Sequence, residues 1–176
     1  MNCHSLSNGS VLHCDCAAKA GRPHQITTMS KSKQRFTLGG SADEVENAFY
    51  EAMQTGNLDK LMACWADEDD IVCVHPGGAR LVGAGAIRES FEAIFVQGSI
   101  PVMSMDVKKV ESMACAMHSV LERIQVALPD GVSEGFVIAT NVYHQTPQGW
   151  RLVVHHASPG TMEEAQMITA MPAVLH

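Results

Sequence analysis

Long apolar runs are missing from this chain, and so is any excess of positive charge beyond its first 35 residues. No stretch approaches the roughly 20 consecutive apolar residues that a membrane-spanning helix needs, so no helical span is expected. The first 35 residues carry Lys19, Arg22, Lys31, Lys33 and Arg35 against Asp15, a balance of +4. The formal net charge of −7 therefore leaves −11 on the remainder. A body that acidic is a poor partner for nucleic acid, because attraction to phosphate supplies most of that affinity. Several ligand spacings are missing too. His4, His13, Cys14, Cys16 and His24 match no standard zinc pattern. Asp67-Glu68-Asp69-Asp70 lacks the spacing of a calcium loop, and Gly83-Ala84-Gly85 falls short of a dinucleotide fingerprint.

What is present belongs to one globular domain: 176 residues, 46% hydrophobic and 18% charged. Residues 1–40 show no helical or strand period and read as a disordered extension, with Met29 as an alternative start. Cys64, Cys73 and Cys115 sit within apolar runs and read as reduced thiols in a cytoplasmic protein.

Order is expected from Ser41 to residue 160. Ser41-Ala42-Asp43-Glu44 is a capping box, and Val45, Ala48, Phe49, Ala52 and Met53 follow at helical spacing. Gly56 ends that helix, and Asn57 caps a second one that buries Leu58, Leu61, Met62 and Trp65. Ile71–His75 reads as a buried strand stopped by Pro76-Gly77-Gly78, with Arg80–Val82 as its return. A third helix buries Ile87, Phe91, Ile94 and Phe95. Residues 100–111, 113–128, 134–145 and 150–158 are long β-type segments, with turn signals at Pro129-Asp130-Gly131 and Pro147-Gln148-Gly149. Residues 161–176 read as a short C-terminal helix and tail. Helices followed by an antiparallel meander predict an α+β fold, three helices packed on a strongly curved, mixed sheet that encloses a pocket.

The motifs Gly56-Asn57-Leu58-Asp59, Trp65-Ala66-Asp67, His75-Pro76-Gly77-Gly78, Gly83 with Ala86-Ile87-Arg88, and Gly149-Trp150-Arg151-Leu152 running into His155-His156-Ala157-Ser158 form a familiar set. Together they resemble the nuclear-transport-factor-2-like (NTF2-like) superfamily, in its SnoaL-like and ketosteroid-isomerase-like branch, over about residues 42–160. The resemblance implies a cone-shaped pocket. It also implies either a cofactor-independent isomerase, cyclase or lyase acting next to a carbonyl, or a non-catalytic dimerisation and ligand-binding module. It places His75 where steroid isomerases carry the catalytic aspartate, Asn141 at the oxyanion acid, and Phe49 at the oxyanion tyrosine, with Tyr50 rotated away. Its histidine-x-serine pattern makes His156, with Ser158, the inward pair and sends His155 outward.

Chemically, imidazole is the natural proton carrier near neutral pH. His75 closes an otherwise apolar strand face shared with Ile71 and Cys73, so it either meets a ligand or holds its own turn. Asn141, in mid-strand, either donates to a developing enolate oxygen or bonds a neighbouring strand. The catalytic candidates are thus His75, Asn141 and His156, and the substrate-binding candidates are Trp65, Phe49, Phe91, Tyr143 and Ser158. A zinc pair of His75 and His156 lacks a third ligand, so neither metal nor other cofactor is assigned. The expected partners are a small apolar or carbonyl-bearing ligand and a second copy joined through the sheet, since one face of so apolar a meander needs covering.

Overall fold

A computed structural model describes residues 39–128 and 131–170. The N-terminal extension up to residue 38, the expected turn residues Pro129 and Asp130, and the last six residues lie outside the described part. So does everything said above of ligands in that extension.

Helix α1 (Ala42–Thr55) starts as its capping box predicts. The Ser41 hydroxyl accepts the Glu44 backbone N–H at 3.2 Å, and Asp43 and Glu44 occupy the first turn. Gly56 ends the helix in the left-handed region at φ 63°, a conformation that disfavours any side chain with a Cβ. Asn57 caps α2 (Leu58–Ala63) by accepting the Lys60 N–H at 3.0 Å. Two three-residue strands follow, β1 (Val72–Val74) and β2 (Arg80–Val82), then α3 (Ala84–Val96). Four long strands complete the sheet: β3 (Val102–Glu111), β4 (Cys115–Leu128), β5 (Gly131–Thr146) and β6 (Gly149–Gly160). Helix α4 (Met162–Ala170) returns to β5 beside Arg123 and Phe136.

The six strands form one sheet in the order β2-β1-β6-β5-β4-β3, antiparallel throughout except that β1 runs parallel to β6. Helix α1 contacts both β6 and β3 and so lies across the inner face of the sheet. Its Val45, Phe49, Ala52 and Met53 join Leu61, Trp65, Ile71, Cys73, Ile87 and Phe91 in one continuous core. The three described cysteines are free thiols. Burial pushes those of Cys64 and Cys73 up to about 12, which keeps both protonated and inert.

Side-chain parity along the long strands decides what the core receives. On β4 the even positions Ala116, His118, Val120 and Glu122 are buried, and on β5 the odd positions Val137, Ala139, Asn141 and Tyr143. On β6 the rule changes partway. Val142 pairs with Val154 but Tyr143 pairs with Leu152, so one extra residue is accommodated there as a bulge. Leu152 and Val153 are consequently both buried, and beyond them the odd positions His155 and Ala157 face the core.

Candidate functional site

His75 stands one residue past β1, where Pro76 cannot continue the strand. Its backbone carbonyl accepts the Gly78 N–H at 2.8 Å and closes the turn. Its ring does something else. Nε2 lies 2.9 Å from the Ser90 hydroxyl on α3, and the ring meets Phe91 edge-on at 5.0 Å. Burial holds this imidazole below its ordinary value, so it is neutral at physiological pH.

The bulge on β6 corrects the expected orientation of the histidine pair. His155 is the inward residue, 4% exposed, while His156 and Ser158 lie exposed on the outer face. Ser158 donates to the Ile138 carbonyl at 3.3 Å. Alternation carried back from Leu152 would turn His156 inward, and the extra residue reverses that parity. His75 and His156 therefore cannot share a metal ion. Tyr50 is likewise turned into the interior rather than away from it, at 4% exposure.

Asn141 is fully buried at the centre of a polar network. Its Oδ1 faces His155 Nδ1 at 2.7 Å, and its Nδ2 donates to the Tyr50 hydroxyl at 3.2 Å and to Glu46 Oε2 at 3.4 Å. Tyr50 donates to Glu122 Oε1 at 2.7 Å. The same Glu46 oxygen lies 2.8 Å from His118 Nδ1 and accepts from the Tyr143 hydroxyl at 3.1 Å. Because Oδ1 can only accept, His155 carries its proton on Nδ1. Burial lowers the pKa of His155 to about 3, so the ring stays neutral. Burial raises Glu122 to about 7, against the opposing pull of its hydrogen bond from Tyr50 and with help from the nearby Glu46 charge. Glu122 is thus a carboxyl group poised between its acid and base forms at neutral pH.

Three of these groups reach one cavity. His75, Glu122 and His155 line a space of about 50 Å³, walled by Met53, Phe91, Ile100, Val102, Ile124 and Ala157. Of the residues singled out from sequence, His75 and Phe91 line it directly. Asn141 stands one hydrogen bond behind, through His155. Phe49 and Trp65 are core, their rings in edge contact at 6.2 Å, and Tyr143 is bound to Glu46 away from the cavity. A larger, open groove of about 340 Å³ runs along Gln54, Pro101, Met103, Arg123 and Gln125, but it brings no acid–base pair together.

The sequence singles out neither Glu46, His118 nor Glu122, and the resemblance turns Tyr50 and His155 away from the interior that they occupy. The available signal was parity. His118 and Glu122 alternate with Ala116 and Val120 on the buried side of β4, and Glu46 and Tyr50 lie one helical turn apart beside Val45 and Phe49.

A helix laid across a curved, mostly antiparallel sheet, with polar groups gathered inside the cone, defines the NTF2-like class. Within that class the chain belongs to the SnoaL-like domain family, whose pattern it matches over residues 43–162. It is similar to a provisionally assigned calcium/calmodulin-dependent protein kinase type II association domain from Thiobacillus denitrificans. The identity is 30%, the TM-score 0.64, and the match covers 70% of this chain and 98% of that one. It is also similar to a provisionally assigned dehydratase of the NTF2-like family from Streptomyces avermitilis, at 32% identity and TM-score 0.60, covering 66% and 91%. An NTF2-like protein of unknown function from Pseudomonas putida, 20% identical over 69% of this chain and 87% of that one, has TM-score 0.59 and shares the fold. No curated protein matches the sequence.

Proposed function

We propose that the cone binds a small carbonyl-bearing molecule and moves a proton on it, as an isomerase or a dehydrating lyase does. The observation that carries this reading is the convergence of His75, Glu122 and His155 on one otherwise apolar cavity. Neutral His75 acts as the general base that takes a proton from the carbon next to the carbonyl. Glu122 in its acid form donates to the carbonyl oxygen as negative charge develops there, with its other oxygen held by Tyr50. Asn141 is a positioning residue, fixing the tautomer of His155 and the direction of Tyr50. The reading is supported by the similarity to the Streptomyces protein, whose assignment is a dehydratase. The cavity is well below the roughly 300 Å³ of a typical ligand pocket. A ligand of more than a few heavy atoms enters as the Met53 and Ile100 side chains give way, and the flexible thioether is suited to that.

The test is exchange of α-protons for solvent deuterium in a panel of small ketones, enones and hydroxy acids, followed by NMR. The native chain is expected to exchange at least one of them, with the rate falling about 100-fold or more in His75→Ala and in Glu122→Gln. If no compound exchanges above the buffer rate and none shifts the His75 resonances, the proton-transfer reading fails.

A second reading is favoured by a separate observation. The outer face of the sheet carries Met117, Ser119, Ile138, Thr140, Val142 and Val154, a partly exposed uncharged patch bordered by Lys108, Arg123 and His156. This face pairs two copies of the chain, in keeping with the similarity to association domains. Dimerisation and ligand binding use opposite faces and are compatible.

A further inference from the structure

We infer that Asp43, Glu111 and His118 form a binding site for a first-row divalent metal ion of the zinc type, separate from the cavity. His118 is fully buried, and its Nε2 has no hydrogen-bond partner. A buried polar atom left unpaired is costly, and few such atoms occur in native proteins. Its other nitrogen explains the direction it faces. Nδ1 is 2.8 Å from Glu46 Oε2, an oxygen that can only accept, so a proton sits on Nδ1, and in the neutral ring the Nε2 lone pair is free. A carboxylate holding the far nitrogen of a histidine is the arrangement that orients metal-binding imidazoles.

That lone pair is aimed at two carboxylates. Nε2 lies 3.8 Å from Asp43 Oδ1 and 3.8 Å from Glu111 Oε1, and the three donor atoms all fall within 4.8 Å of one another. Donors bound at about 2.1 Å around a tetrahedral ion sit about 3.4 Å apart, so the two edges from His118 need to contract by about 0.4 Å and the edge between the carboxylates, at most 4.8 Å, by up to about 1.4 Å. Both carboxylates belong to partly exposed side chains that can make this adjustment. The fold brings the set together from three elements. Asp43 comes from the first turn of α1, Glu111 from the end of β3, and His118 from β4, where it pairs with Lys109 and sits diagonal to Glu111. One nitrogen and two oxygens suit zinc, cobalt or manganese better than calcium, and a fourth position stays open to water.

The site already attracts a cation. The Lys109 ammonium lies 2.6 Å from Asp43 Oδ1, on the same oxygen that faces His118. A metal ion must displace it, and the partly exposed lysine side chain is free to swing away. This makes Lys109 a competitor, and its removal should strengthen binding.

The test is calorimetric titration of the full chain with zinc chloride, repeated with cobalt and NMR detection of the His118 ring. The native chain is expected to take up one equivalent that is at least tenfold weaker in Glu111→Gln and in Asp43→Asn, and several-fold tighter in Lys109→Met. Cobalt should broaden the His118 ring resonances in the native chain and spare them in Glu111→Gln. Any uptake by the histidines and cysteines of the first 35 residues is common to all variants and cancels in the comparison. Equal stoichiometry and affinity in the native, Glu111→Gln and Asp43→Asn chains would overturn the inference, and so would unbroadened His118 resonances. Because both acidic residues lie at the surface, the result does not depend on whether a His118 variant folds.

Discussion

Glu122 and His155 line the same cavity yet act on the pH dependence of folding in opposite senses. Folded Glu122 keeps its proton up to about pH 7, whereas the unfolded chain releases it near 4.5, so this group's contribution falls as pH rises across that window. Folded His155 refuses a proton until about pH 3, whereas the unfolded chain takes one near 6.5, so its contribution is lost as pH drops from 6.5 to 3. His75, also held low by burial, adds to the acid-side loss. Between about pH 4.5 and 6.5 the opposing slopes offset each other. Urea midpoints of the native chain should therefore change less across that window than those of a chain without Glu122. Those of Glu122→Gln should climb with pH by the equivalent of up to roughly 3 kcal/mol of unfolding free energy, the size of two pKa units. A flat Glu122→Gln profile would mean that folded His155 is not held below its ordinary value, and a native profile as steep as that of Glu122→Gln would mean that Glu122 is not held above its own. At the same scale, Asn141→Ala strips His155 Nδ1 and Tyr50 of their shared partner without offering water in exchange. A loss of about 2–3 kcal/mol is expected by urea denaturation, and a loss below about 0.5 kcal/mol would show that the network rearranges around the gap.

At the scale of elements, the capping box at Ser41, the Gly56 stop, the Asn57 cap and the four long strands were all legible, because each depends on neighbours within four residues in sequence. What escaped the reading depends on partners far away in the chain. The bulge on β6 has no local signal in Leu152-Val153-Val154, since it arises from the register against Val142 and Tyr143, and with it His155 rather than His156 faces the core. On α1 the apolar stripe through Val45 and Phe49 was read as the whole buried face. The helix is in fact buried more broadly, and Glu46 and Tyr50 enter beside the stripe because the sheet supplies polar partners that only tertiary structure brings. The stop itself is testable. The nearest atom to a Cβ at Gly56 would be 3.7 Å away, so Gly56→Ala meets no obstacle and its cost is backbone strain alone. That cost should be about 1 kcal/mol, read as a shift in the thermal midpoint at unchanged secondary structure.

For the whole molecule, the two faces of the sheet divide the work. The inner face holds the cavity and its network, and the outer face offers an uncharged patch around Val142, bordered by Lys108, Arg123 and His156. If that surface joins two copies, Val142→Glu should convert a dimer to a folded monomer in light scattering while leaving His75 chemistry in place. A native chain that is already monomeric at tens of micromolar would remove the dimer from consideration. The NTF2-like fold was legible from sequence because its motifs fall at turns and caps. Of the three catalytic candidates read from sequence only His75 lines the cavity, at a strand end marked by a proline and two glycines.

The parallel pairing of β1 with β6 has a consequence for synthesis. Val72 and Val154 are neighbours in the sheet but lie almost half the chain apart, and β1 with β2 has no other strand to join. While the ribosome is still making the meander, the first two strands have no sheet to join. The nascent chain can cap its helices early, but the cone closes only when its last long strand emerges. Until then the cavity does not exist, and the half-made protein presents a short, unpaired edge to whatever chaperone or neighbour it meets.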